Sequence, residues 1–152
     1  MSVRRLTAFS LALAACSLAA APAFAGSFDD AAATAAWVAR ADSFTHAMAD
    51  YDANGDYKSN LSSACSGVTG DMMKYGQHEP MWAQTSFSEF CSSVNVMGRN
   101  GLNKVSCKSF KRALGDIKAE SGKDPDEVVR AAQGWQAALS GMIDAAKAQH
   151  QC

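Results

Sequence analysis

From Val128 to Ala146 the apolar residues Val128, Ala132, Trp135, Leu139, Met142 and Ala146 return at alternating steps of four and three. An unbroken stripe of that period, about five turns long, marks an amphipathic helix that must bury one face against partners. Its start is also written in the sequence. Asp124 stands where a cap would, Pro125 at the first helical position, and Asp126 and Glu127 suit the positive end of the helix dipole. Beside the large residues, Ala131, Gly134, Ala138, Gly141 and Ala145 form a stripe of small ones. Small side chains let a neighbour approach closely, so the first or second helix is expected there.

The same period recurs upstream. Ser27 to Tyr51 places Trp37, Ala41, Phe44, Met48 and Tyr51 on one face, with Asp29 and Asp30 in the first turn. A second helix is expected over Tyr57 to Tyr75, with Leu61, Cys65, Val68, Met72 and Tyr75 inward. Gly67 and Gly70 each weaken it by about 1 kcal/mol relative to alanine. Gly76 ends it and Pro80 bars continuation. A short third helix is predicted from Ser86, where Ser86 and Glu89 have the spacing of a capping box. Phe87, Phe90, Cys91, Val94 and Met97 form its inner face, Gly98 stops it, and residues 99–104 read as a loop. The fourth covers about Ser106 to Ser121, with Phe110, Ala113, Leu114 and Ile117 inward. The expected fold is all-α: a compact bundle of about five helices, four long and one short, stabilised by disulfides.

The disulfides follow from the N-terminus. Arg4 and Arg5, an apolar run from Leu6 to Phe24, and the small-x-small end Ala23-Phe24-Ala25 have the three parts of a secretory signal peptide. Residues 1–25 are therefore expected as a signal peptide and 26–152 as a single helical domain, periplasmic or secreted after cleavage near Ala25. Leu13-Ala14-Ala15-Cys16 resembles the bacterial lipobox, which would attach the chain to a membrane through lipidated Cys16. The nine largely apolar residues after Cys16 lead instead to the Ala-x-Ala site and favour plain cleavage. Both routes end in a bacterial envelope. Export leaves Cys65, Cys91, Cys107 and Cys152, an even number in an oxidising compartment, and two disulfides are the expectation. No pair has Cys-x-x-Cys spacing, which excludes thioredoxin-like, c-haem and zinc-ribbon chemistry. Three connectivities are open. Helix lengths disfavour Cys107–Cys152, because the last helix overshoots the fourth by several turns unless the tail unwinds. The reading leans to Cys91–Cys107 with Cys65–Cys152.

Without Arg4 and Arg5, 12 of the 14 Lys and Arg residues face 15 Asp and Glu, a net charge of −3. That balance excludes a nucleic-acid-coating protein, and 48% hydrophobic with 19% charged residues excludes a disordered tail. The charge is unevenly spread. Residues 26–56 hold six acidic and one basic residue, residues 99–123 seven basic and two acidic. Lys108, Lys111, Arg112 and Lys118 cluster on the outer face of the fourth helix, a docking surface for an acidic protein partner.

Two constellations suggest metal instead. Asp50-Tyr51-Asp52-Ala53-Asn54-Gly55-Asp56 has oxygen ligands at loop positions 1, 3 and 5 and glycine at 6, as in an EF-hand. Asp50, Asp52, Asn54 and Asp56 would hold calcium weakly, because Lys58 and Leu61 stand where further oxygen ligands belong. The alternative is a turn in which Asp56 caps the second helix. Met72, Met73, Met81 and His78 could hold Cu(I) or fill core. Asp42, His46 and Asp50 share a helix face at steps of four. No Gly-x-Ser-x-Gly, Ser-x-x-Lys or His-Glu-x-x-His motif occurs, so the balance points away from an enzyme. No cofactor beyond that weak calcium is expected. The function expected is an exported interaction protein, of inhibitor, immunity or chaperone-like type by class analogy alone; the alternative is a metal binder.

Overall fold

Asp30 sets where the first helix begins: its carboxylate accepts from the Ala33 amide at 2.8 Å and caps α1, Ala31–Ala49. The computed structural model describes residues 27–49 and 56–152. The expected signal peptide 1–25, Cys16, and Asp50, Asp52 and Asn54 of the EF-hand-like loop lie outside the described residues.

Five further α-helices follow: α2 (Tyr57–Cys65), α3 (Val68–Tyr75), α4 (Met81–Val96), α5 (Lys104–Glu120) and α6 (Asp126–Ala148). Short 3₁₀ turns at Gly76–His78 and Ser121–Lys123 precede α4 and α6. The fold is all-α, and the one bridge among the described residues, Gly98 to Gly101, is isolated. None of these helices is long and apolar enough to cross a membrane.

The second expected helix is two, α2 and α3, broken at Ser66 and Gly67. Ser66 turns its hydroxyl back to the Ser63 carbonyl at 2.7 Å, satisfying a terminal acceptor of α2. Glycine then makes the break inexpensive. The third helix is long rather than short, starting at Met81 behind an extended Pro80. Ser86 therefore caps nothing: it is buried inside α4 with its hydroxyl on the Ala83 carbonyl, while Glu89 reaches Arg112. What fixes this entry is Gln84, whose amide donates to the carbonyls of Gly76 (2.7 Å) and Glu79 (2.9 Å).

At α5, Asn103 and Ser106 form a reciprocal capping box, two residues upstream of the expected start. At α6, Asp124 is drawn off capping duty by the Trp82 indole N–H at 3.1 Å, and the helix begins at Asp126.

The core is aromatic. Trp37 of α1, Phe87 of α4 and Trp135 of α6 are fully buried, and the Phe87 and Trp135 rings stack at 4.9 Å. Phe44, Phe90 and Phe110 extend the cluster, with Phe44–Phe90 at 4.5 Å and Phe90–Phe110 at 4.9 Å. Each such pair adds about 0.5–1.5 kcal/mol beyond area burial. As the small-residue stripe implies, α1 lies along α6: a Cβ at Gly134 would sit 3.8 Å from Thr45. Gly141, further along the stripe, is exposed.

The disulfides join Cys65 to Cys91 and Cys107 to Cys152, each with Cα atoms 5.7 Å apart, which corrects the pairing preferred above. Cys65 ends α2, and α2 packs across α4, which brings Cys65 to Cys91. The overshoot of α6 is removed by a reversal of the tail. His150 takes the left-handed conformation at φ 57°, Gln151 donates to Ala146 at 2.9 Å and His150 to Lys147 at 3.0 Å. This Schellman closure turns Cys152 back toward the first turn of α5.

Candidate functional site

Lys108, Lys111, Arg112 and Lys118 are all exposed on α5, as their spacing implies. Arg112 is engaged, donating to Glu89 of α4 at 2.9 Å. That bond is the main reason its guanidinium holds its proton more tightly than usual. Lys118 lies near enough to Asp144 of α6 to help lower its pKa, though the hydrogen bond from Lys147 dominates that shift. Lys108 and Lys111 form no ion pair with any described residue. Lys104, one turn before Lys108, is also exposed and unpaired among the described residues, and it belongs to the same row. The polar run 99–104 reads as a loop in sequence, which hides Lys104 from the helical spacing.

At the N-terminal end of this row lies an open cleft of about 330 Å³ between residues 98–103 and the C-terminal tail. Arg99, Asn100 and Gly101 line one side, Gln149 and Gln151 the other. Gly101 has a φ of 124°, a conformation that a side chain would strain, and its amide closes the turn onto Gly98 at 3.3 Å. The loop is anchored beneath by Met97 and Leu102, both buried, and by the Tyr57 amide, which donates to the Arg99 carbonyl at 3.0 Å.

Those metal candidates that fall among the described residues are placed apart from one another or are occupied. Asp56 caps α2, accepting from the Ser59 amide at 3.2 Å and from Arg99 at 3.2 Å. The Ser59 amide is the largest influence holding its carboxyl below the usual range. His78 bonds Asp29 through Nδ1 (2.9 Å) and Gln77 through Nε2 (3.0 Å). Met72 packs on the core, whereas Met73 and Met81 are exposed. The His46 ring meets the backbone carbonyl of Asp42 at 2.7 Å, not its carboxylate. Among the described residues no three His, Cys, Asp or Glu side chains converge on a point where a metal could sit.

One ionic feature had no signal in the sequence. Arg40 of α1 bonds Glu79, just before α4, with both side chains buried, and Asp71 of α3 lies 3.7 Å from the same guanidinium. Phe87 lies beneath, its ring centroid 4.8 Å from the guanidinium carbon. Burial pushes the Glu79 carboxyl up, and Arg40 draws it only part of the way back.

No family model, curated protein or solved structure matches this chain.

Proposed function

We propose that the chain is an exported interaction module of the bacterial envelope that docks an acidic protein surface through the outer face of α5. The observation that carries this reading is the row Lys104, Lys108 and Lys111: three exposed cations on one helix face, about 10 Å from end to end, with no acidic partner among the described residues. A row of unpaired charge raises association rates with an oppositely charged partner and suppresses wrong ones. Both ends of α5 are held, by the Asn103 cap and the Cys107 bridge at one and the turn into α6 at the other. The row is thus presented on a helix that need not be ordered on binding, which lowers the cost of association.

The address rests on the leader pattern, Arg4-Arg5, the apolar run and Ala23-Phe24-Ala25, with cleavage near Ala25. Lipidation at Cys16 is the competing route, and the intact mass of the exported protein separates the two. An inhibitor, immunity or chaperone-like role fits a small clamped bundle of this kind, by class analogy.

Co-purification from an envelope fraction tests the docking face. Lys104→Glu, Lys108→Glu and Lys111→Glu together should release the partner, and added salt should release it from the unaltered protein. Capture of the same partners by the reversed protein would sink the reading.

A further inference from the structure

We infer that the cleft between residues 98–103 and the C-terminal tail receives an extended acidic peptide segment, which continues along the lysine row of α5. The inference rests on the docking reading above and specifies what the partner presents.

Three observations carry it. The first is unused hydrogen-bonding capacity. The side-chain amides of Asn100, Gln149 and Gln151 bond no described residue, although all three line the cleft. Asn103, at the same rim, is fully used: its oxygen accepts from Val105 and Ser106, and its nitrogen donates to the Val96 carbonyl. The second is charge. Among the described residues Arg99 spends only Nε, on Asp56, and it is 81% exposed, which leaves both Nη groups for a carboxylate fork. Among the described residues no acidic side chain lines the cleft. The third is rigidity. One wall is a glycine turn pinned to the core, the other a Schellman tail bonded through Cys152 to Cys107.

These groups match a peptide. A primary amide carries an NH₂ group that donates and a carbonyl oxygen that accepts, the complement of a peptide unit, and a row of such amides reads main chain without regard to side chain. The Arg99 fork selects a carboxylate among the side chains presented. Val96 and Val105, on the helix ends that the loop joins, are 52% and 72% exposed and offer apolar contact beside the polar floor. Lys104 follows Asn103 directly, so a chain leaving the cleft meets Lys104, Lys108 and Lys111 in order.

Fluorescence anisotropy on the disulfide-intact protein tests this, with a labelled short poly-glutamate peptide and, as a second polyanion without a peptide backbone, polyphosphate of similar length. Poly-glutamate should bind, and Asn100→Ala with Gln151→Ala should weaken it about tenfold, the loss of one or two hydrogen bonds. Polyphosphate binding should be unchanged by that pair, and Arg99→Ala should weaken both ligands. If poly-glutamate is indifferent to the amide pair yet is lost in the α5 reversal, the cleft inference is overturned and the docking reading stands. If poly-glutamate does not bind at all, the cleft inference is overturned, and the envelope co-purification decides the docking reading separately.

Discussion

Arg40 and Arg99 each face a carboxylate, in opposite surroundings. The Arg40 and Glu79 side chains are 6% and 0% exposed, with Phe87 beneath the guanidinium. Arg99 is 81% exposed and its partner Asp56 34%. A buried pair cannot exchange partners without leaving a bare charge in a low-dielectric interior, so the first pair fastens the turn before α4 onto α1. An exposed pair is worth little to stability and can trade one carboxylate for another. Similar chemistry therefore fastens the turn before α4 and leaves the guanidinium beyond its other end exposed.

The closed end should respond most strongly to substitution. Glu79→Leu alone should cost about 3–5 kcal/mol in denaturant unfolding, because it leaves the buried Arg40 charge with only the partly exposed carboxylate of Asp71, 3.7 Å away. Arg40→Met combined with Glu79→Leu should recover most of that loss, since two apolar side chains leave no buried charge. A double variant as unstable as the single one would show that the pair contributes more than mutual neutralisation.

Next in size are the two bridges. The Cys107–Cys152 bond, with a sequence separation of 45, should contribute about 4 kcal/mol by constraining the unfolded chain. The Cys65–Cys91 bond, with a separation of 26, should contribute about 3.5 kcal/mol. Replacing either pair by serine lowers the unfolding midpoint, but only the Cys107 and Cys152 variant should also lose poly-glutamate binding, because only that bond holds a wall of the cleft. Equal loss of binding from both would remove the distinction between the ends.

Arg99→Ala sits at the other extreme. It should change stability by less than about 0.5 kcal/mol while weakening peptide binding. A large loss of stability there would mean that the open pair is structural after all.

The finest test is pH. Burial raises the folded-state pKa of Glu79 above its ordinary value of 4.5, and also raises that of Asp124, beside Trp82. A raised acid binds its proton more tightly in the folded state than in the unfolded one. Stability from these groups therefore grows as pH falls through the folded value, and the gain is complete below about 4.5 for Glu79 and about 3.8 for Asp124. Asp56, whose pKa is lowered, acts oppositely, losing its contribution only as pH falls below its ordinary value of 3.8. Melting temperature should accordingly hold or rise from pH 7 toward pH 4.5. Glu79→Gln should flatten that rise, and a steep fall over the same interval would contradict the assignment.

Helices were legible where one face alone decided them. The stripes through Trp37, Phe87, Phe110 and Trp135 all lie inward, because apolar periodicity needs no knowledge of the partner. Helix starts were less legible, because tertiary contacts choose among local candidates. Ser86 and Glu89 have capping-box spacing, yet Gln84 and Pro80 start α4 five residues earlier. The disulfide pairing turned on a tail reversal at His150, a left-handed position with no glycine to announce it. Arg40 and Glu79 lie 39 residues apart, beyond any local pattern. The lysine row could be read from helical spacing, whereas the cleft joins residues 98–103 to 149–151 and exists only in the fold.

Amide NMR on isotope-labelled, disulfide-intact protein titrated with poly-glutamate tests the division of the molecule most directly. Shifts should concentrate on residues 98–111, Gln149 and Gln151, with Arg40 and Glu79 silent. Shifts centred on the Arg40 end, or spread evenly over every exposed lysine, would contradict the assignment of Arg99 to the binding end.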